Sequence, residues 1–147
     1  MNGLPGRTRI LFVLIAILSI AGAIDSGIAL QRYFAKSSTR FCDFSQKFSC
    51  DIVNRSEYST LLGIPVALIG IAGYALLFVL STFLRTRDET PNRLLIAALA
   101  GFAFALYLTY VEAYVLTTWC ILCLISLALI TLISILAGIL KLKAIRH

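Results

Sequence analysis

The sequence contains an uncharged apolar run at Trp119–Leu140, which reads WCILCLISLALITLISILAGIL. As an α-helix this run would be about 33 Å long at roughly 1.5 Å per residue, which matches a hydrocarbon core of about 30 Å. Backbone polar groups find no water in lipid, so a chain that crosses a membrane in such a run must pair them within a helix. The stretch therefore predicts a transmembrane helix.

Three further apolar stretches of similar length lie at about 10–30, 61–84 and 94–115, whereas the fourth spans 119–140. Apolar residues make up 60% of the chain and charged residues 14%, against about 45–50% and 25% in soluble domains. Together with a mean hydropathy of +0.94, this composition excludes a soluble globular protein and a disordered one. Solid apolar runs do not fit the alternating strands of a β-barrel. The sequence predicts an all-α integral membrane protein, with 1–147 forming a single four-helix transmembrane bundle.

The distribution of Lys and Arg predicts the orientation of these spans, because cytoplasmic loops are enriched in both residues. Eight of the 13 basic residues fall in the two terminal tails and in the connection between the second and third spans. The other five lie in Gln31–Thr60, where acidic residues dilute them. We expect both termini in the cytoplasm, and the long loop between helices 1 and 2 on the periplasmic side of the inner cell membrane.

The first span has features of a signal peptide, because Arg7 and Arg9 precede it and Ala21–Ala23 resembles a cleavage site. The apolar run continues well beyond that site, which favours a retained membrane anchor. Within this span Gly22 and Ser26 are small residues four positions apart, a spacing typical of a helix-packing seam.

The four cysteines form two pairs. Cys42 and Cys50 lie in the long loop, and Cys120 and Cys123 form a CxxC motif where the last span begins. The predicted orientation places all four on the outer side, where disulfides form and persist in bacteria. A helix N-terminus favours the reactive thiolate, and CxxC spacing lets two sulfurs close a small reducible ring. The pattern predicts thiol–disulfide exchange, with the loop pair relaying electrons between a soluble partner and Cys120.

Two other interpretations of the cysteines stay open. In one, both pairs are structural disulfides that staple the outer loop of a tetraspan scaffold or transporter subunit. In the other, the four thiols bind zinc. A CxxC motif at a helix entry is unusual for a purely structural bond, and zinc sites usually combine two closely spaced motifs, which Cys42 and Cys50 do not form. The spacing favours a redox function without a metal.

The order of these motifs resembles the vitamin K epoxide reductase family in its bacterial and archaeal form. The residues that carry the resemblance are CDFSQKFSC at 42–50, then Ser56, then LLGIPVALIGIAGY at 61–74 and WCILC at 119–123. The resemblance covers about 10–140. DsbB-type oxidases are functionally analogous four-helix proteins, but they carry the CxxC pair in the first outer loop, so the order of the pairs favours the epoxide reductase family.

The resemblance implies a role for each motif. Cys42 and Cys50 would be the shuttle pair, Cys120 and Cys123 the active-site pair beside a quinone, and Ser56 a residue close to the active site. The implied activity takes electrons from a thioredoxin-like (DsbA-type) partner and passes them to ubiquinone or menaquinone, which supports disulfide-bond formation.

The sequence departs from the animal members of the family at two positions. Where those members carry a Tyr and an Asn, this chain has Leu127 and Val66, so the resemblance implies quinone reduction rather than epoxide reduction. The chain ends at His147 without the thioredoxin-like domain that is fused to some bacterial members, so we expect a separate redox partner. Because the extramembrane surface is small, we expect the protein to contact membrane lipid rather than nucleic acid. The sequence is compatible with a monomer.

Further candidate site residues lie within the predicted spans. Asp25 and Glu112 are carboxylates near the outer surface, where a hydrated structural position and proton transfer are both open. Asp25 is our candidate for supplying a proton to the reduced quinone. Tyr107, Tyr110 and Tyr114 share roughly one helix face, and they form either an interfacial aromatic belt or the lining of a quinone site.

Overall fold

The computed structural model describes residues 6–34, 60, 61, 63–84, 87, 89–115 and 121–146. Most of them belong to four helices, namely α1 (Gly6–Phe34), α2 (Val66–Thr82), α3 (Thr90–Tyr110) and α4 (Ile121–Arg146). Two short strands, β1 (Thr60–Leu61) and β2 (Ile64–Pro65), precede α2, and a π-helical turn at Val111–Val115 follows α3 directly.

Three helical segments of the described chain are long and apolar enough to cross a membrane, namely Gly6–Gln31, Thr90–Tyr114 and Ile121–Ile145. The remaining helix, α2, is also apolar but has only 17 residues, which corresponds to about 25 Å. These long apolar helices confirm the prediction of an all-α, multi-pass membrane protein. The long loop that was predicted between the first two spans lies largely outside the described residues.

The start of α2 differs from the predicted span at 61–84. Strands β1 and β2 pair antiparallel, with Thr60 opposite Pro65 and Leu61 opposite Ile64. Gly63 lies in the connecting turn with a φ of 83°, a left-handed conformation that glycine adopts without a steric penalty. Pro65 then has extended backbone angles and no N–H to donate, which suits the residue that precedes a helix. The helix therefore begins at Val66 rather than at Leu61.

The four helices alternate in direction and share a core at one end of the bundle. There the start of α1 and of α3 meet the end of α2 and of α4, and the buried apolar side chains include Phe12, Ile15, Leu77, Leu80, Leu94, Ala98, Ile133, Ala137 and Leu140. Two polar contacts join neighbouring elements at this end: the Thr90 hydroxyl donates to the carbonyl of Leu84, and Lys141 Nζ donates to Asn92 Oδ1 over 2.9 Å. We refer to this end as the core end.

The opposite end of the bundle, which we call the site end, has a smaller apolar cluster. Ala29 near the end of α1, Ala67 at the start of α2 and Leu122 at the start of α4 pack together there. Between the two ends α1 and α2 approach closely at glycines: Gly22 faces the ring of Tyr74, and Gly70 faces the side chain of Ser26. The predicted packing seam at Gly22 and Ser26 is confirmed.

Candidate functional site

A cavity of about 370 Å³ lies between the four helices towards the site end. Its walls are mostly apolar, and each helix contributes to them. The described residues with polar side-chain atoms in its lining, together with the cysteine, are Asp25, Ser26, Tyr74, Cys123 and Ser126. An apolar cavity with a few polar groups is the usual form of a small-molecule site.

Small residues on α2 and α3 create this space. On α3 the lining includes Ala97, Gly101 and Ala105, which are four positions apart and therefore share a face. On α2 it includes Gly73, where a Cβ atom would meet nothing within 4 Å. Gly101 also permits α3 to approach α4, since a Cβ there would lie 3.2 Å from Ile130 Cδ1. The backbone of α3 thus lies close to the Ile130 side chain of α4, while the volume beside the other small residues stays unfilled.

Cys123 lies at one wall of the cavity, in the first turn of α4. Its side chain is half-buried and packs against the apolar cluster that includes Ala29 and Leu122. The other residues of the predicted relay, Cys42, Cys50, Cys120 and Ser56, lie outside the described residues. The structure thus positions one member of the CxxC pair directly at the cavity.

A hydrogen-bonded pair lies one helical turn from Cys123. Tyr74 Oη is 2.8 Å from Ser126 Oγ and 3.1 Å from the carbonyl oxygen of Ser126. Tyr74 is 5% exposed and its ring lies against Gly22. The sequence interpretation did not include either residue, although Ser126 is three positions after Cys123 and so shares its face of α4.

Asp25 enters the cavity from α1. Asp25 is 7% exposed, and its carboxyl group makes no hydrogen bond to another described residue. Glu112, in the π-helical turn, is 1% exposed. Both carboxylates are thus buried within the protein, and a hydrated structural position and proton transfer both stay predictions for them.

A comparison with models of protein families extends these observations to most of the chain. The model of the vitamin K epoxide reductase family matches residues 13–137, which include all four helices in large part and the four cysteines. The chain belongs to the vitamin K epoxide reductase family. A comparison with curated proteins gave no match. Family membership identifies the protein as a membrane oxidoreductase of the thiol–disulfide type, in a family whose members are linked to quinones.

The structure locates both positions at which the resemblance implied a departure from the animal members of the family. Val66 lines the cavity at the start of α2, whereas Leu127, half-buried on α4, is not part of the lining. The aliphatic side chain of Val66 contributes an apolar surface to the wall of the cavity.

The tyrosines of the third helix do not line this cavity. Tyr107, Tyr110 and Tyr114 are 49%, 59% and 75% exposed, on a face that points away from the bundle. The rings of Tyr110 and Tyr114 pack against each other, with centroids 5.0 Å apart. None of the three is among the described residues that line this cavity, since α3 turns its small residues and Phe104 inward. The lining of a quinone site and an aromatic belt at the membrane interface both stay predictions for these tyrosines.

Proposed function

We propose that this protein is a quinone-dependent thiol oxidoreductase that supports disulfide-bond formation outside the cytoplasm. The observation that carries the proposal is the position of Cys123 at the wall of an apolar cavity between the helices, in a chain of the vitamin K epoxide reductase family. A thiol at such a wall is able to reach a lipid-soluble electron acceptor without leaving the membrane.

The proposed topology is a four-helix transmembrane bundle with both termini in the cytoplasm of a cell that keeps its periplasm oxidising. It is supported by charge: the core end carries Arg7, Arg9, Arg87, Arg93, Lys141 and Lys143, which are among the eight of 13 basic residues that fall in the terminal tails and in the connection between the second and third spans. Basic residues favour the cytoplasmic side. The site end, where α4 begins beside Cys123, then faces the periplasm, where thioredoxin-like partners carry out disulfide exchange.

The proposed relay moves two electrons through two dithiol pairs. A reduced DsbA-type partner attacks the disulfide of Cys42 and Cys50 at Cys42, and resolution of the mixed disulfide leaves the partner oxidised and the loop pair reduced. The Cys50 thiolate then attacks Cys120, which releases Cys123, and Cys42 resolves that bond. The Cys120–Cys123 dithiol finally gives two electrons and two protons to the quinone and returns to the disulfide. Each exchange proceeds because the next acceptor is more oxidising.

The cavity fits a quinone headgroup in its chemistry. A quinone ring is flat and apolar with carbonyl oxygens that accept hydrogen bonds, and the cavity offers apolar walls with hydroxyl groups at Ser26, Tyr74 and Ser126. Either ubiquinone or menaquinone satisfies this description. Asp25 is the accessory residue that we propose for proton delivery, since its carboxyl group lines the same cavity without a hydrogen-bond partner among the described residues.

The test measures quinone absorbance in detergent with a dithiol as electron donor, for the wild type beside Cys123→Ala. We expect dithiol-dependent quinol formation in the wild type and none in the variant. Replacement of Cys42 and Cys50 by Ala should preserve quinol formation with a small dithiol and abolish it with a thioredoxin-like protein. Folded wild-type protein that reduces neither ubiquinone nor menaquinone analogues would contradict the proposal and favour a tetraspan scaffold with structural disulfides.

A further inference from the structure

The hydroxyl of Ser126 differs from the other helix hydroxyls of this protein. Five serines and threonines within the described helices donate to the carbonyl four residues earlier, as the distances of 2.7 Å for Ser19 to Ile15 and 2.6 Å for Thr131 to Leu127 illustrate. Ser126 makes no such bond in the described structure and pairs with Tyr74 instead. Its hydroxyl is therefore turned from its own helix towards the cavity.

Of the two hydroxyl protons of Tyr74 and Ser126, one is able to form a hydrogen bond to a ligand in the cavity. The two hydroxyl oxygens lie 2.8 Å apart, where either is able to donate, and Tyr74 Oη is also able to donate to the Ser126 carbonyl at 3.1 Å. When Ser126 donates to Tyr74 and Tyr74 donates to the carbonyl, both protons are used. When an acceptor enters the cavity, Tyr74 is able to donate to Ser126 Oγ, which releases the Ser126 proton for the ligand. Hydroxyl protons rotate freely between such partners, and neither arrangement leaves a buried donor unsatisfied, which would cost stability.

The pair is also held at a fixed place relative to Cys123. The Tyr74 ring is buried and lies against Gly22 on α1, so that the ring has no room to swing towards α1. Ser126 is three residues from Cys123 on the same helix, which separates them by about 4.5 Å along the axis. A ligand whose carbonyl oxygen is bound by Tyr74 and Ser126 would therefore have its ring within reach of the Cys123 sulfur.

From these contacts we propose that Tyr74 and Ser126 bind a carbonyl oxygen of the quinone headgroup and so position the ring against Cys123. The inference rests on the proposed function and assigns to it two positioning residues that are not cysteines. The substrate class that it requires is a quinone whose carbonyl accepts a hydrogen bond from a neutral hydroxyl. The apolar remainder of the lining then accommodates the rest of the ring.

The experiment combines infrared spectroscopy with kinetics on the full chain in detergent. The probe is a short-chain ubiquinone with ¹³C in its carbonyl groups, and the variants are Tyr74→Phe and Ser126→Ala. Each removes one hydroxyl and leaves the remaining shape in place. The matched control is Ser19→Ala, since Ser19 is a buried helix serine that donates within its own helix and does not line the cavity. Thermal unfolding of every variant verifies that it is folded.

We expect the carbonyl band of the bound probe to lie at lower frequency in the wild type and in Ser19→Ala than in the two site variants. The KM for the quinone should rise about 2- to 10-fold in each site variant, as for the loss of one neutral hydrogen bond, while reduction of the protein by dithiol keeps its rate. A band that is unshifted in the wild type, or that is the same in all variants, overturns the inference although quinol still forms. Failure of the folded wild type to form quinol overturns the proposed function as well.

Discussion

The ring of Tyr74 lies against the backbone of α1 at Gly22, so closely that a Cβ atom at Gly22 would fall 2.2 Å from Tyr74 Cε1. No side chain larger than hydrogen fits there unless the ring moves. The contact is between two helices, and it fixes the direction in which the tyrosine hydroxyl points. Gly22 thereby controls a group that lines the cavity.

Gly22→Ala should lower stability and weaken quinone binding together. The added methyl group forces the Tyr74 ring out of place, and overpacking of this kind typically costs about 1–3 kcal/mol. Gly27→Ala is the matched control in the same helix, because a Cβ at Gly27 meets nothing within 4 Å and alanine is favoured over glycine in helices by about 0.5–1 kcal/mol. Thermal unfolding in detergent measures the stability of both variants, and the KM for quinone measures the effect on binding. Equal melting temperatures for the two variants would show that the ring is not held at Gly22.

Asp25→Asn should slow quinol formation about 10-fold or more, since a positioned acid typically contributes at least that much to a proton transfer. The substitution keeps the size of the side chain and removes its ability to donate a proton as an acid. Glu89→Gln is the control, because Glu89 is exposed at the core end and pairs with Arg93 over 2.6 Å. The measurement is the rate of quinol formation at saturating quinone. A rate equal to that of wild type would assign Asp25 a structural role.

Gly73→Leu should raise the KM for quinone by about an order of magnitude or abolish the reaction. Gly73 lines the cavity, and a Cβ there meets no atom within 4 Å, so a leucine fills the ligand's space without a clash at its first carbon. Gly138→Leu provides the comparison, because its position on α4 is equally open but distant from the cavity. Titration with a long-chain and a short-chain quinone measures the effect. Unchanged kinetics in Gly73→Leu would place the quinone elsewhere.

Phe104→Leu should weaken quinone binding more than Tyr107→Leu. The two rings are neighbours on α3, with centroids 6.4 Å apart, but Phe104 lines the cavity whereas Tyr107 is 49% exposed on the outer face. A ring that contacts the ligand supplies apolar area, whereas an exposed ring does not. The KM for quinone, measured for each variant, shows which substitution weakens binding more. A larger effect for Tyr107→Leu would favour the quinone-lining role that the sequence left open for the tyrosines.

The sequence was sufficient to predict the helices but not their rotation about their axes. Apolar length alone identified α1, α3 and α4, and the spacing of Gly22 and Ser26 identified a packing seam. In a membrane the lipid-facing and protein-facing sides of a helix are both apolar, so the face of α3 that turns inward has no hydrophobic signature. For this reason the sequence left two roles open for the tyrosines of the third span, and Tyr74, in a uniformly apolar helix, was missed.

The hairpin before α2 was missed for a different reason. Both of its signals, Gly63 and Pro65, were present, but the surrounding residues are as apolar as those of the helix that follows. A turn with a positive φ depends on one residue, which a search for long apolar stretches passes over. Local turn chemistry therefore decided the boundary against the hydropathy pattern.

The shortness of α2 has a consequence for the membrane itself. On the proposed topology a helix of 17 residues covers about 25 Å of a hydrocarbon core of about 30 Å, and a hydrophobic mismatch of this sign is met by local thinning of the bilayer. Because α2 forms one wall of the cavity, the thinned lipid adjoins the place where the quinone would enter. The length of the lipid acyl chains should then affect the rate at which quinone exchanges between the bilayer and the protein. We expect this exchange to be slower in thick bilayers than in thin ones.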